Sequence, residues 1–485
     1  MTSVRNHRQY DRPAPRPTRG RGIILPVVLM IFALLALLAL GFGFLVRSEY
    51  LALQARGGVD QSRLCAMSGL EAAALLLRHH FAEPSAWYDR EDLFRDQVVQ
   101  ADTTQDQARR WRYSLVGCNL DNDKAVRFGL TDEAAKVNLN VASPDQLQRL
   151  LAPFAPMGKT EELVAALLDW REQGGEMRPG GGKDLYYLTL PQPYQCKEAP
   201  LDTIEELLLV KDFTADVVFG EDMNRNGILD ANEDDADLSL PVDNGDGLLN
   251  RGLYPYITVY SREPEVTDGN PYLPRVNINL WPEGAAGKLP DKLVSFIVKA
   301  RGARADFGRT PANLIGMSAG GAISPATEAD LPAIMDLLTT GYHVHSDGFV
   351  YGRINVNTAP GTVLRTIGRL TAEEVEGILT TRARLSEEIR KTTAWLVTEK
   401  VLDVEKYKQV ACLLTARSYQ FTVESLGYCE YDSAQCRMQA VMELRLPRVQ
   451  YLYLRDLSGL GRSYRLAEFK GTDVITKQNV SGRNF

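Results

Sequence analysis

Cysteine and histidine are scarce in this chain, with six and five among 485 residues. Cys65, Cys118, Cys196, Cys412, Cys429 and Cys436 are dispersed and form no C-x-x-C pair, which excludes a disulfide scaffold and the usual zinc and redox motifs. Cys429 and Cys436 are close enough in sequence to bridge a β-hairpin in an oxidising compartment; buried small apolar side chains are the plainer alternative for all six. An excess of positive charge is missing as well. The net charge of -7 and a pI near 5.5 give no bulk attraction to phosphate and weigh against nonspecific nucleic-acid binding. Disorder has no compositional support, since 45% of residues are hydrophobic and 24% charged, close to globular averages. The length exceeds what one ordinary core fills, so two or more packed domains are expected.

Catalytic patterns are equally thin. Gly316-Met317-Ser318-Ala319-Gly320 matches a nucleophile elbow in letters, but that elbow needs a strand before the serine and a helix after it. Here a helix is expected before it and a glycine-rich loop after it. His343 and His345 share one face of an extended segment without a spaced third ligand, and His79 and His80 are adjacent on a helix. No nucleophile with its base, no paired acid and base and no phosphate loop remains, so no enzyme is read.

One long hydrophobic run is present. Residues 1–22 carry six arginines, three prolines and the single acid Asp11, the composition of a charged leader rather than of a core. Ile23–Val46 then runs uncharged, about 36 Å as a helix at 1.5 Å per residue, enough to cross a hydrocarbon layer of about 30 Å. Arginines before it set the N-terminus inside and the remainder outside. The helical pattern continues through Leu51, Ala55, Leu64, Ala66, Leu70, Ala73, Leu76 and Leu77, with Gly57-Gly58 as a point where a kink is expected.

Beyond the helix the informative feature is repetition. Lys136-Val137-Asn138-Leu139-Asn140, Arg275-Val276-Asn277-Ile278-Asn279 and Arg353-Ile354-Asn355-Val356-Asn357 share the form basic, β-branched, Asn, apolar, Asn. Each precedes a proline-bearing opening and an amphipathic helix ending near an arginine: Leu163–Arg171, Leu293–Arg301 and Glu374–Arg382. Thr203, Thr310 and Thr392 are expected to cap a second short element in each unit. Unequal spacing argues against a regular solenoid. Strands are expected at Trp111–Cys118, Val126–Leu130, Gln420–Gly427 and Met438–Leu454, the last broken at Pro447.

The strongest local signal is Asp222-Met223-Asn224-Arg225-Asn226-Gly227-Ile228-Leu229-Asp230-Ala231-Asn232-Glu233, which fits a twelve-residue EF-hand-type calcium loop. Asp222, Asn224 and Asn226 supply side-chain oxygens, Gly227 the sharp turn, Ile228 a carbonyl, Asp230 a contact through water and Glu233 a bidentate carboxylate. Asp234, Asp235 and Asp237, followed by Asp243, Asn244 and Asp246, extend the acidic stretch; a second calcium and a solvated loop both remain open there.

Arg21-Gly22 before the apolar run resembles a prepilin-type leader, cut after Gly22 to leave Ile23 as the mature N-terminus. Val27 stands where pilins usually carry glutamate, a departure shared by the K-type subunit. With Asp132-Glu133 before Val137–Asn140, Leu168-Asp169-Trp170-Arg171, Tyr186-Tyr187 with Pro193-Tyr194, Glu205-Glu206-Leu207 and Asn355–Pro360, the chain resembles the type II secretion system minor pseudopilin K family (general secretion pathway protein K).

The resemblance implies an α+β fold: a long N-terminal transmembrane, pilin-like helix and an α/β pseudopilin head interrupted by a large α-helical insertion with helix-hairpin-helix-like units. The expected segments are leader 1–22, transmembrane helix 23–46, pilin-like helix and first strands 47–130, helical insertion with three related units and the calcium loop 131–415, C-terminal β part 416–465 and polar tail 466–485. It further implies a pseudopilus tip shared with I- and J-type minor pseudopilins, processing by a prepilin peptidase, bound calcium, and an inner-membrane anchor with a periplasmic head. The family's acidic segment after the tryptophan is here Glu172-Gln173-Gly174, so calcium is assigned to Asp222–Glu233 on its own residues. The rival class is a membrane-anchored helix-hairpin-helix DNA-uptake protein. Its G-I-G hairpin is missing: Thr366-Ile367-Gly368-Arg369 carries one glycine, so no nucleic acid is expected.

Overall fold

In the computed structural model the described residues are 24–99, 110–120, 122–236, 238–267, 272–280, 282–342, 344–431, 434–461, 464 and 469. Gly22, Ile23, Asp237, His343 and all of the 466–485 tail except Phe469 therefore lie outside the description. The chain divides between Gly58 and Val59 into two units.

The first unit contributes the start of helix α1 (Ile24–His80), which is helical without interruption at Gly57-Gly58. An 18-residue window of this helix has mean hydropathy 2.9 and is wholly exposed, so one helix among the described residues is long and apolar enough to cross a membrane. Exposed leucine, isoleucine and phenylalanine in such a run are stable only in an apolar surrounding.

The second unit is built on an antiparallel sheet with strands β1 (Gln97–Val98), β2 (Arg112–Val116), β3 (Thr131–Asp132), β4 (Gln420–Tyr428), β5 (Gln435–Arg445) and β6 (Arg448–Asp456). The order is β1-β2-β4-β5-β6, and β3 also pairs with β4. The Met438–Leu454 expectation resolves into β5 and β6, with Pro447 in the turn between them, where its missing N–H does no harm. Val126–Leu130 forms no strand: only Arg127 bridges Gly117. Gly129 instead passes so close to Tyr88 that a Cβ there would fall 2.0 Å from the Tyr88 carbonyl oxygen.

Ala66, Leu70, Ala73 and Leu77 recur at helical spacing on α1 and are fully buried against Leu115, Phe421, Val423, Leu426 and Met438 of the sheet. Each buried leucine adds about 1.5–3 kcal/mol. Small residues let the helix approach closely. A Cβ on Gly427 of β4 would fall 1.9 Å from the Ser62 carbonyl oxygen and 2.4 Å from the Ala66 nitrogen, so only glycine fits.

Between β3 and β4 the chain forms two further hydrophobic clusters, one around Leu163, Leu167, Trp170, Val363, Ile378 and Trp395, the other around Ile278, Leu293, Phe296, Ile297, Leu314 and Ile334. Helices α2 (Thr160–Arg171), α3 (Asp291–Gly302) and α4 (Ala372–Arg382) cover the three expected helical segments, but α2 is not amphipathic, since every residue from Leu163 to Trp170 is buried. The repeated motifs make corresponding bonds. Asn138, Asn277 and Asn355 each accept from the main-chain N–H two residues on, at 3.0 Å. Arg171 donates to Ala142 O at 2.7 Å, Arg301 to Asn279 O at 3.0 Å and Arg382 to Ala359 O at 2.6 Å. Each motif also pairs in parallel with a distant dipeptide: Ile257-Thr258, Leu338-Thr339 and Leu414-Thr415 respectively.

Thr310 caps its turn, accepting from Ala312 N at 3.3 Å, whereas Thr203 makes no side-chain cap and the third short helix, Trp395–Thr398, has Ala394 at its cap position. Ser318 is exposed in a two-residue strand that turns into Ala322-Ile323; no helix follows it, so the elbow geometry does not form.

Candidate metal centre

The Asp222–Glu233 segment folds as one tight loop whose donors are arranged by the main chain. Asp222 Oδ1 accepts from Asn226 N and Oδ2 from Gly227 N, both at 2.9 Å. Asn224 Oδ1 accepts from Asn226 N at 2.9 Å, and Asn226 Oδ1 from Ile228 N at 2.7 Å. These bonds fix which way both amides face, and each carbonyl oxygen keeps a second lone pair for another partner. Gly227 turns the chain with φ +70°, a conformation that favours glycine, and a Cβ there would stand 3.0 Å from the Cys118 sulfur. Asp230 starts the closing turn, with its N–H donating to Glu233 Oε2 at 3.1 Å, and its Oδ2 accepts from the Asn224 and Asn226 amides at 2.9 Å.

Ile228 points its side chain into the core of the sheet.

The electrostatics are those of a crowded acid site. Glu233 is 2% exposed and its Oε1 has no hydrogen-bond partner. Burial pushes its carboxyl up to about 8, and Asp222, Asp230 and Glu221 push in the same direction. Burial also pushes Asp222 up to about 6, against the amides of Gly227 and Asn226 and the charges of Arg437 and Arg251. An orphaned buried carboxylate oxygen among other acids and amide carbonyls fits an oxygen-ligated divalent cation. Among the described residues, no three His, Cys, Asp or Glu side chains are drawn together as a metal-holding cluster. Asp222 and Asp230 are turned onto N–H donors of the loop, and the asparagines and the Ile228 carbonyl would supply the balance of an EF-hand-type donor set.

Residues far away in sequence hold this loop. Arg437 of β5 donates to Asn224 O at 2.6 Å and Arg225 O at 2.5 Å, and pairs with Glu424 of β4 at 2.5 Å. Tyr464 bonds both Asn226 O, at 3.3 Å, and Glu424 Oε1, at 3.0 Å. Arg251 donates to Gly227 O at 3.0 Å, and Arg225 lies over the Phe219 ring at 4.1 Å while pairing with Glu205 at 2.5 Å. The base closes through Glu221 N to Asn250 O at 2.7 Å and Asn250 N to Glu221 Oε2 at 3.0 Å. The local motif gives no sign of Arg437, Glu424 or Tyr464.

In the acidic extension, Asp243 accepts from Asp235, Ala236 and Gly245 main-chain N–H groups, and Asp234 accepts from Gly247 N at 2.9 Å. Main-chain N–H groups thus solvate much of this charge.

An antiparallel sheet and helices inserted between its strands define an α+β protein, which also has one helix long and apolar enough to cross a membrane. Residues 119–219 match the family model described as Type II secretion system (T2SS), protein K. Through that segment the chain is similar to the protein K family of type II secretion systems. The matched segment ends before Asp222, so the Asp222–Glu233 loop rests on its own residues. A solved structure, "The Crystal Structure of the GspK-GspI-GspJ complex from enterotoxigenic Escherichia coli Type 2 Secretion System", is similar with TM-score 0.41 and 13% identity, covering 85% of this chain and 98% of that chain. No curated protein matches the chain.

Proposed function

We propose that this chain is a minor pseudopilin that caps or initiates the pseudopilus tip of a type II protein secretion system together with I- and J-type minor pseudopilins. The match of residues 119–219 to protein K carries the reading, and the exposed apolar part of α1 supports it. In this reading a prepilin peptidase cuts after Gly22, the Ile23–Val46 segment waits in the inner membrane, and the head of residues 47–465 lies in the periplasm.

The chemistry of the parts suits that role. An apolar helix partitions into lipid or against other apolar helices with similar ease, so it can leave the bilayer for a filament. A head bulked out by inserted helices would obstruct a subunit stacked above it, which suits an end position. Val27 in place of an acid fits too, because a terminal subunit has no neighbour above whose N-terminus needs a countercharge. A Val27→Glu variant is expected to copurify with the I- and J-type proteins as the parent does. Loss of that complex would sink the tip assignment.

Asp222, Asn224, Asn226, Ile228, Asp230 and Glu233 are proposed to hold one calcium ion. The ion would supply positive charge to buried carboxylates, while Arg437 and Tyr464 transmit the order of the loop to β4 and β5. A calcium titration of the full chain, followed by thermal melting, tests this; an unchanged melting curve contradicts it.

A further inference from the structure

Each repeat motif sets its basic residue beside a glutamate, but the charges do not balance alike in the three. In the first, Lys136 donates to Glu133 at 2.6 Å, and Glu133 also accepts from Thr422 at 2.6 Å and from Thr258. One cation there meets one fully bonded acid. In the third, Arg353 pairs with Glu263, which accepts from Thr415 at 2.5 Å. Arg353 also reaches Glu265 at 3.0 Å and so shares the glutamate of the second motif. Arg275, the basic residue of that second motif, has its Nη1 3.6 Å from Glu265 Oε2, beyond hydrogen-bond distance.

The second and third motifs border one cavity of about 40 Å³, polar and roomy enough for more than a single water. Its wall carries Arg275, Arg309, Arg353, Lys391 and Arg417 against two acids, Glu263 and Glu265. Two acids outside the wall offset part of the excess: Asp336 pairs with Arg417 at 2.5 Å and the exposed Glu388 with Lys391 at 2.8 Å. Arg309 is the cation left over. Its guanidinium lies 5.0 Å from the centre of the Tyr342 ring and, among the described residues, makes no hydrogen bond or ion pair. Arg353 Nε is buried without a hydrogen-bond partner. Burial holds the Arg275 guanidinium below its usual range, and Arg417 and Arg353 push the same way against Glu265 and Glu263. Thr340 and Thr392 bring hydroxyls to the same wall, and these can donate to an acceptor of negative charge.

We propose that this cavity binds one small inorganic anion, a halide or a compact oxyanion, at the junction of the second and third repeat units. The ion offsets the surplus positive charge and accepts charge-assisted hydrogen bonds from guanidinium nitrogens that otherwise lack them. Its wall is drawn from both units. Arg275 and Arg309 belong to the second, while Arg353, Lys391 and Arg417 belong to the third. Binding therefore fastens one unit to the other, and the sheltered setting makes each contact stronger than it would be at an open surface.

The test is a set of melting curves on the full-length chain in detergent with calcium held constant. Sodium chloride and sodium sulfate are titrated separately, and ionic strength is kept fixed with sodium gluconate, whose anion is too large for the cavity. The midpoint is expected to rise by a few degrees and to saturate, half-maximally below about 10 mM. Arg309→Gln removes an exposed cation held only by a ring contact, so the fold should survive; its half-saturation concentration is expected to rise about tenfold or more. Arg90→Gln, the same change of charge outside the cavity wall, should respond as the parent does. Saturation with chloride alone assigns a halide, with sulfate alone an oxyanion, and with both a site for either; each supports the proposal. No rise, a rise that does not saturate, parent-like saturation in Arg309→Gln, or an equal loss in Arg90→Gln overturns it.

Discussion

Arg437 of β5 donates to the main-chain carbonyl of Asn224 at 2.6 Å, joining two residues more than two hundred positions apart. The guanidinium is 3% exposed and reaches Arg225 O and Glu424 as well, so one side chain ties the acidic loop to the head sheet. Removing one member of such a buried pair leaves an uncompensated charge, typically a loss of about 3–5 kcal/mol. An Arg437→Met variant is expected to lower the denaturant midpoint markedly, and Glu424→Gln to lower it less. If Arg437→Met melts like the parent, the clamp is not structural.

Calcium removal should act on the same region. With a chelator the melting temperature is expected to fall, and Glu233→Gln or Gly227→Ala should abolish the difference between calcium and chelator. Binding one ion at a hundredfold excess over its Kd stabilises by about 2.7 kcal/mol, so the shift should be several degrees. Equal calcium response in the parent and Glu233→Gln would remove Glu233 from the site.

Asp132 sets a pH dependence of its own. It is 1% exposed, and burial pushes its carboxyl up to about 6 despite bonds from Ala134 N at 2.7 Å and Asn355 Nδ2 at 2.9 Å and the hydroxyl of Thr358. Its value in the unfolded chain is about 3.9. The folded state therefore holds the proton more tightly, and the stability from this residue is present below about pH 4 and lost as pH rises through about 6. The stability of the parent relative to Asp132→Asn should thus fall between about pH 4 and 6, by up to about 3 kcal/mol. A pH-independent difference would contradict this.

Gly427→Ala probes the seam between α1 and β4. The added carbon would collide with main-chain atoms of Ser62 and Ala66, which cannot swing aside as a flexible side chain would. A loss of about 1–3 kcal/mol or more is expected in chemical denaturation. A neutral result would mean that α1 does not pack on β4 at this point.

The apolar run, the three arginine-terminated helices and the strands at Gln420 and Met438 were legible in the sequence because each is fixed by a local period. The acidic loop was legible because its donors sit within twelve residues. What holds it was not: Arg437 and Glu424 come from strands, and Tyr464 from the segment after them, whose placement depends on chain folding far from Asp222. Val126–Leu130 looked like a strand by composition, yet Gly129 is pressed onto Tyr88 and Phe128 packs inward, so contact rather than propensity decides that segment. The partner dipeptides Ile257-Thr258, Leu338-Thr339 and Leu414-Thr415 are too short to give a periodic signal of their own. The buried pairs of Glu265 with Arg353 at 3.0 Å and Arg275 at 3.6 Å likewise join repeats that the sequence shows only as separate motifs.

Whether this chain works as a tip pseudopilin, as proposed, is tested most directly by copurification. The affinity-tagged full chain, extracted in mild detergent from cells that make the whole secretion system, should bring down the I- and J-type minor pseudopilins in equal amounts. It should do so while leaving most of the major pseudopilin behind. Recovery of the chain without either partner, or with the major pseudopilin as its dominant companion, would contradict the account.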